Sequence, residues 1–269
     1  MCYNTFIIEV VGMTDSEVKF HINLSANDLE GAHVAIITGD PGRVGTIAKC
    51  LVNPKKITQN REYVSYLGEL DNNKVLIIST GMGGPSTAIC IEELAQIGIT
   101  HIIRIGTSGG MQIEVSAGDL VIPTGTIRQE GTSKEYLPVE FPAVPDFNLT
   151  NLLRESCDEA GYKLHMGIIQ CKDSFYGQHC PERMPVSYEL QNKWNAWIKG
   201  GALCSEMETA SLFIVSSTLK IHAAAILLVI WNQEREKKGL SQETNFDVER
   251  GVKVAIKAIK KLFKQEKNN

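Results

Sequence analysis

Three short stretches of this chain set glycine beside arginine or hydroxyl side chains where apolar runs end: GDPGR (39–43), GMGGPS (81–86) and GTSGG (106–110). Arg43 closes the first, and Arg104 stands just before the third, inside the apolar run HIIRIG. Thr107 and Ser108 add hydroxyls. In open α/β sheets ligands lie beyond the carboxyl ends of strands, and glycine there lets backbone N–H groups come close to an anion. A helix starting just past such a turn adds the positive end of its dipole. Two guanidiniums, a few amides and a hydroxyl make a clamp of phosphate size. Glycines at sheet ends can also serve tight turns alone. The arginine within an apolar strand favours the anion site, because a charge in that position needs a partner. Neither G-x-x-x-x-G-K-[ST] nor G-x-G-x-x-G is present, so the common nucleotide fingerprints do not apply.

A second cluster, SEMETA (205–210), places Glu206 and Glu208 at the expected start of a helix, where carboxylates complement the dipole. A simple acidic first turn accounts for that composition. The alternative is that one carboxylate accepts hydrogen bonds from sugar hydroxyls, so that phosphate and ribose share one pocket.

The elements that must position these groups alternate between strand and helix. HVAIITGDPGRVGTIAKCL reads as a buried strand (33–38), a Gly/Pro turn (39–42) and a helix (43–51). NREYVSYLGEL and NNKVLIISTG read as two meander strands joined by a turn at Asp71-Asn72-Asn73. GPSTAICIEELAQIG carries Ile89, Leu94 and Ile97 at helical spacing, with Gly98 as the stop. HIIRIGTSGG and GDLVIPTGTIRQEG follow as strands, then an amphipathic helix over 145–161 with Asp146 or Asn148 near its cap. KLHMGIIQCKDSFYG returns to strand, and 180–201 forms a less regular insertion with a short helix. SEMETASLFIVSSTLK is a helix, IHAAAILLVIWN the last strand and FDVERGVKVAIKAIKKLF the closing helix. Nearly continuous apolar strands predict a mixed sheet covered on both faces. With no interior linker or repeat, the 269 residues read as one α/β domain, residues 1–19 being a variable N-terminal arm.

Composition narrows the class. A net charge of -4 offers no basic field for nucleic acid, and KAIKKLFKQEKNN reads as the exposed face of the last helix. The seven cysteines are odd in number and no pair is spaced C-x-x-C, which argues for free thiols in a reducing cytosol rather than disulfides or a zinc knuckle. MCYNTFIIEVVGM lacks a basic leader and a long apolar core, so no signal peptide and no membrane span are expected, and the protein is expected in the cytoplasm.

STGMGGPSTAICIEEL resembles the signature of the nucleoside phosphorylases of the uridine phosphorylase and hexameric purine nucleoside phosphorylase superfamily. GDPGRV, RIGTSGG, GDLVIPTGTIRQEGTS and SEMETA stand in that family's order, and the likeness runs from about residue 20 to the end. GGPSTAI, EELAQIGI, RIGTSG, EFPAVPDF and DSFYGQ are similar to its uridine branch. The resemblance implies a three-layer sandwich with a mixed, twisted central sheet flanked by helices. It implies a pentosyltransferase that splits uridine, and by extension deoxyuridine or thymidine, reversibly with phosphate into uracil and ribose 1-phosphate in pyrimidine salvage. Carried onto this chain, it places phosphate at Gly39, Arg43, Arg104 and Thr107, with Arg61 reaching in from a neighbouring subunit. Ribose falls to Met207 and Glu208, with His21 of a neighbour at the 5'-hydroxyl. Phe175 stacks on the base and Gln178 pairs with the imide edge of uracil. Arg104, Thr107 and Glu208 are the residues implied for catalysis. No organic cofactor is implied. Family members can bind a monovalent cation such as K+ between subunits, and Glu62, Met82 and Ser86 match those ligand positions, an ordinary interface hydrogen bond being the equal alternative. The family assembles as homo-oligomers, typically hexamers built as three dimers, and at least a dimer is expected here.

Two departures bear on the base. The uridine branch carries G-Q-x-R, whereas GQHCPERM brings the next arginine, Arg183, three residues late; Arg183 is expected to reach the base through a reshaped loop. A second arginine expected near the last strand is replaced by Asn232, with Arg235 displaced, and WNQERE lacks the aspartate that purine enzymes often use. A purine nucleoside phosphorylase, a nucleosidase of the same fold and a catalytically silent ligand-binding member are the rival readings.

Overall fold

A computed structural model describes residues 16–242 and 248–268, so residues 1–15 of the expected arm lie outside the described residues. β1 (Val34–Thr38) is buried throughout. α1 (Pro41–Ala48) starts ahead of the expected 43 because Pro41 occupies the first turn, where a missing N–H costs nothing, and Asp40 caps it by accepting from Gly42 N at 2.8 Å. β2 (Val52–Asn60) was not expected: VNPKKITQN has a proline and two lysines and no apolar alternation. It forms the outer edge of the sheet, where such residues are tolerated and discourage pairing with another chain. β3 (Tyr63–Leu70) and β4 (Asn73–Ser79) form the meander, with Asp71 and Asn72 at φ 50° and 64° in the turn and Asn73 already in strand.

α2 (Gly84–Gln96) ends before Gly98, and β5 (His101–Gly110) runs through the whole of GTSGG. Those glycines therefore do not make the expected turn. Gly109 and Gly110 pair with Ser205 and Cys204, and a Cβ on Gly110 would lie 2.6 Å from Asn232 Nδ2, so glycine here leaves room for the Asn232 side chain. β6 (Leu120–Arg128), α3 (Thr132–Tyr136) and α4 (Phe147–Ala160) follow; of the two cap candidates Asp146 acts, accepting from Leu149 N at 2.8 Å. β7 (Leu164–Cys171) leads to α5 (Phe175–His179) and to α6 (Ser187–Lys199), a longer helix than expected in that insertion. The acidic helix start is split in two. Glu206 ends a short strand, β8 (Cys204–Glu206), and Glu208 immediately precedes α7 (Thr209–Leu219). β9 (His222–Asn232), α8 (Gln233–Lys237) and α9 (Glu249–Glu266) complete the chain.

The strands form one mixed sheet in the order β2-β3-β4-β1-β5-β8-β7-β6-β9, and β9 also pairs with β5. The second pairing closes β5, β8, β7, β6 and β9 into a ring, from which β1, β4, β3 and β2 extend as an open wing. One face is covered by α1, α4 and α9, through residues such as Ile47, Leu152, Leu153, Ala255 and Ile259. The other is covered by α2 and α7, through Ile91, Leu94, Phe213 and Val215, with Ile22, Leu24 and Leu29 of the N-terminal segment packed alongside. No helix among the described residues is long and apolar enough to cross a membrane.

Candidate active site

The carboxyl ends of β1, β4, β5 and β7, together with the junction of β8 and α7, surround a cleft of about 730 Å³. Its floor is set by Arg104. This residue lies in β5 among Ile102, Ile103 and Ile105, is 3% exposed, and is given room by a neighbouring glycine. A Cβ on Gly106 would come within 2.8 Å of Arg104 Nη2 and 3.0 Å of Cζ. Gly39 allows a second close approach, since its Cβ would lie 3.1 Å from the carbonyl oxygen of Gly81 at the end of the neighbouring strand. The glycines thus bring strand ends and a guanidinium together.

Arg104 is held from one side. Its Nη2 donates to Glu208 Oε2 and lies 3.4 Å from Glu206 Oε2. Glu206 is almost fully enclosed and accepts from Glu208 N at 2.9 Å, Thr209 N at 3.0 Å and Thr209 Oγ1 at 2.5 Å, so it closes the start of α7. Glu208 accepts from Gly83 N at 2.7 Å, at the start of α2. Burial raises the pKa of Glu208 above the ordinary carboxylate value, with the adjacent Glu206 charge adding to it and Arg104 opposing. Burial also opposes ionisation of Glu206, but Arg104 and the amides of α7 outweigh it and hold that carboxyl low. Two carboxylates thus share one guanidinium, and Glu208 is the more easily protonated. On the other side of Arg104, Nε and Nη1 are buried without a hydrogen-bond partner among the described residues. A charged group with two idle donors inside a cleft is arranged for an anion.

Around those donors stand Gly39, Thr107 and Arg43, all in the wall of the cleft. Arg43 is partly exposed, its Nε 3.6 Å from Asp40 Oδ2. The start of α1 is less available to an anion than the turn suggests, because Asp40 takes the amide of Gly42. Ser108 turns away toward the carbonyl of Leu228, at 3.4 Å.

Met207, Phe175 and Gln178 also line the cleft. Phe175 is half exposed and its ring centroid lies 4.2 Å from that of His179. Burial, then the nearby charge of Lys172, holds the His179 imidazole down to about 4, so it is neutral at pH 7. Gln178 Oε1 accepts from Ser205 Oγ at 2.8 Å, and Lys172 Nζ donates to the same hydroxyl at 2.5 Å. Lys172 and Ser205 had not been singled out. Lys172 had a signal: it closes the apolar run GIIQCK just as Arg104 interrupts HIIRIG.

Three expected residues stand outside the lining. Arg183 follows α5, with its guanidinium 5.7 Å from the ring centre of Tyr176. His21 gives Nδ1 to Glu93 at 2.6 Å, and Arg61, exposed and at φ 52°, lies 5.8 Å from the centre of the Phe20 ring. Asn60 Nδ2 donates to the carbonyl of His21 at 2.8 Å, which gathers His21 and Arg61 into one surface patch. Asn232 is fully committed to structure: its oxygen accepts from Glu234 N and Arg235 N, and its amide donates to Gln112 and Val115 carbonyls. Arg235 donates to the Ile113 and Ser241 carbonyls. Glu62, Met82 and Ser86 meet at the rim of the cleft, where Ser86 Oγ donates to the Met82 carbonyl at 3.3 Å. Among the described residues, the one group of His, Cys, Asp and Glu side chains close enough to share a metal ion is His33, His101 and Glu266. It lies by the first residues of β1 and β5, away from the cleft.

Residues 33–264 match the profile of the phosphorylase superfamily. The chain belongs to that superfamily. It is 49% identical over 259 residues to a uridine phosphorylase of Treponema pallidum, covering 96% of this chain and 99% of that protein. It is 36% identical over 254 residues to the uridine phosphorylase of Escherichia coli, covering 93% of this chain and all of that one. A guanosine phosphorylase of Halorubrum lacusprofundi is 34% identical over 249 residues, 90% of this chain and 98% of its own length. The matches to both uridine phosphorylases run nearly the full length of each protein.

Proposed function

We propose that this protein is a uridine phosphorylase, transferring the pentosyl group of uridine to inorganic phosphate. The observation that carries the reading is Arg104, buried with Nε and Nη1 lacking a hydrogen-bond partner among the described residues, in a chain that matches curated uridine phosphorylases over nearly its whole length. Phosphate takes the end of the cleft bounded by Gly39, Arg43, Arg104 and Thr107. Ribose lies over Met207 and Glu208, and the base lies between Phe175 and Gln178. The C1'–N1 bond breaks with its electron pair going to the base, and a phosphate oxygen bonds to C1'. The proton brought in by HPO₄²⁻ ends on uracil. The sugar passes through an oxocarbenium-like state, and the phosphate anion and the Glu208 carboxylate stabilise its positive charge. Holding both substrates in one water-poor cleft supplies much of the remainder.

No covalent nucleophile and no organic cofactor is needed for that scheme. Glu62, the Met82 carbonyl and Ser86 present only oxygen, the donor type that a hard monovalent cation such as K+ takes, and we read the rim as its place. His21 and Arg61 share a patch outside their own cleft, which supports their donation to a neighbouring copy in a dimer-based assembly, a hexamer of three dimers being the expected form. Six described cysteines are free, in keeping with a reducing cytoplasmic setting.

Incubation of the protein with uridine, inosine or methylthioadenosine, with and without phosphate, tests the reading. Uracil released only when phosphate is present is the expected result. Hypoxanthine or adenine release instead makes it a purine enzyme, release without phosphate makes it a nucleosidase, and no turnover makes it a silent binder.

A further inference from the structure

The reaction leaves negative charge on the pyrimidine, and the arginines expected to meet it are absent from the base end of the cleft. Arg183 lies outside the lining, Asn232 is spent on backbone groups, and Arg235 is tied to two carbonyls. Among the described residues one cation is present there. Lys172 directly follows β7, is 5% exposed, and lines the cleft beside Gln178, Phe175, His179 and Ser205.

Its bonding is incomplete. An ammonium carries three donors, and among the described residues the Ser205 hydroxyl is the one hydrogen-bond acceptor of Lys172 Nζ. Lys172 makes no ion pair among the described residues, although Glu206 is close enough to favour its charge. Burial pulls the pKa of the ammonium below its ordinary value, the mark of a charge that has lost water without gaining full compensation. Arg104, by contrast, has two carboxylates.

The neighbours of Lys172 are suited to a flat group with carbonyl oxygens. Ser205 Oγ lies within hydrogen-bond distance of both Gln170 and Gln178 side-chain oxygens, and Gln170 Nε2 in turn donates to Gln129. This chain of contacts fixes Ser205 and the Gln178 oxygen in place, and leaves the Gln178 amide nitrogen and the remaining Lys172 donors for a ligand. Lys172 and Gln178 also line a second cavity of about 220 Å³, so they stand between it and the cleft.

We infer that Lys172 is the cation that binds a carbonyl oxygen of the pyrimidine and stabilises the negative charge that grows on the base as the C1'–N1 bond breaks. The inference rests on the phosphorylase reading above. It makes Lys172 a specificity-determining residue, replacing arginine as the partner of the leaving base. A compact ammonium is a point charge, whereas guanidinium is a two-pronged fork, so the same charge is offered with less geometric demand.

The test compares uridine with 5-fluorouridine, whose base is the more acidic and hence the better leaving group, in the full-length wild type and in Lys172→Met. Loss of a charge-stabilising donor is expected to lower kcat/KM for uridine on the order of 10²-fold. For 5-fluorouridine the loss is expected to be several-fold smaller, and the KM for phosphate unchanged. Lys172→Gln, which keeps a polar group against Ser205, carries the same comparison should the methionine variant fail to fold. An equal loss for both substrates, or none, overturns the assignment of Lys172. A wild type that releases no uracil from uridine and phosphate overturns the phosphorylase reading itself, and is seen before any variant is made.

Discussion

The two ends of the cleft are built in different ways. At the end proposed for phosphate and ribose, Arg104, Glu206 and Glu208 are locked by one another and by amides at the starts of α2 and α7, with glycines clearing the space. The positions there are set by backbone, and the guanidinium lies against two carboxylates. At the end proposed for the base, Lys172, Ser205, Gln178 and Gln170 hold one another through side chains drawn from β7, α5, β8 and the residue after β7, and Lys172 makes no ion pair among the described residues. Inorganic phosphate is the same co-substrate for any nucleoside and the pentose varies little, so an end that takes them can be rigid and closely specified. The base is what varies, and a side-chain network can change its cation from arginine to lysine without disturbing the sheet.

The largest effect should come from the rigid end. Arg104→Ala is expected to cut turnover on the order of 10²–10³-fold. The same change leaves two buried carboxylates without their cation and should lower stability by about 3–5 kcal/mol in denaturant unfolding. Unchanged turnover would remove the phosphate assignment and the contrast with it. Glu208→Gln keeps the shape and the oxygen that Gly83 N binds, so turnover should fall on the order of 10²-fold with a much smaller change in Tm. That variant also isolates a pH effect. The Glu208 pKa is raised above 4.5 by burial and by Glu206, and in the proposed mechanism only the carboxylate stabilises the sugar cation. Activity is therefore expected to be lost as pH falls, with a midpoint above 4.5, and Glu208→Gln should abolish that limb. At the base end Gln178→Ala should raise the KM for uridine about tenfold, one hydrogen bond's worth, while leaving that for phosphate alone. An equal rise in both would mean that the ends are not separate. The smallest effect is expected for Arg183→Ala, whose guanidinium faces Tyr176: uridine affinity should change by less than about 0.5 kcal/mol in a titration with uridine.

What could be read from the chain follows the same division. Glycine runs, the strand-bound Arg104 and the pair Glu206 and Glu208 are local patterns, and each maps to one wall of the cleft. The edge strand β2 escaped because an edge makes no demand for apolar alternation. GTSGG looked like a turn because glycine permits both a bend and a close strand crossing, and only the partner strand at Ser205 and Cys204 decides between them. SEMETA read as one helix because neither a three-residue strand nor a cap residue has a period of its own. Lys172 and Ser205 meet across a gap of 33 positions in the chain, and no local spacing announces such a pair.

Because β9 returns to pair with β5, the five strands that hold Arg104, Glu206 and the approach to Lys172 have no outer rim from which hydrogen bonds can peel. The wing ends instead in β2, which is largely open to water. Deuterium should therefore enter β2 through local fraying, while the amides around Ile103 and Ile105 should exchange only when the whole molecule unfolds. A protein labelled for hours in heavy water would then retain protium in the ring long after the wing had lost it.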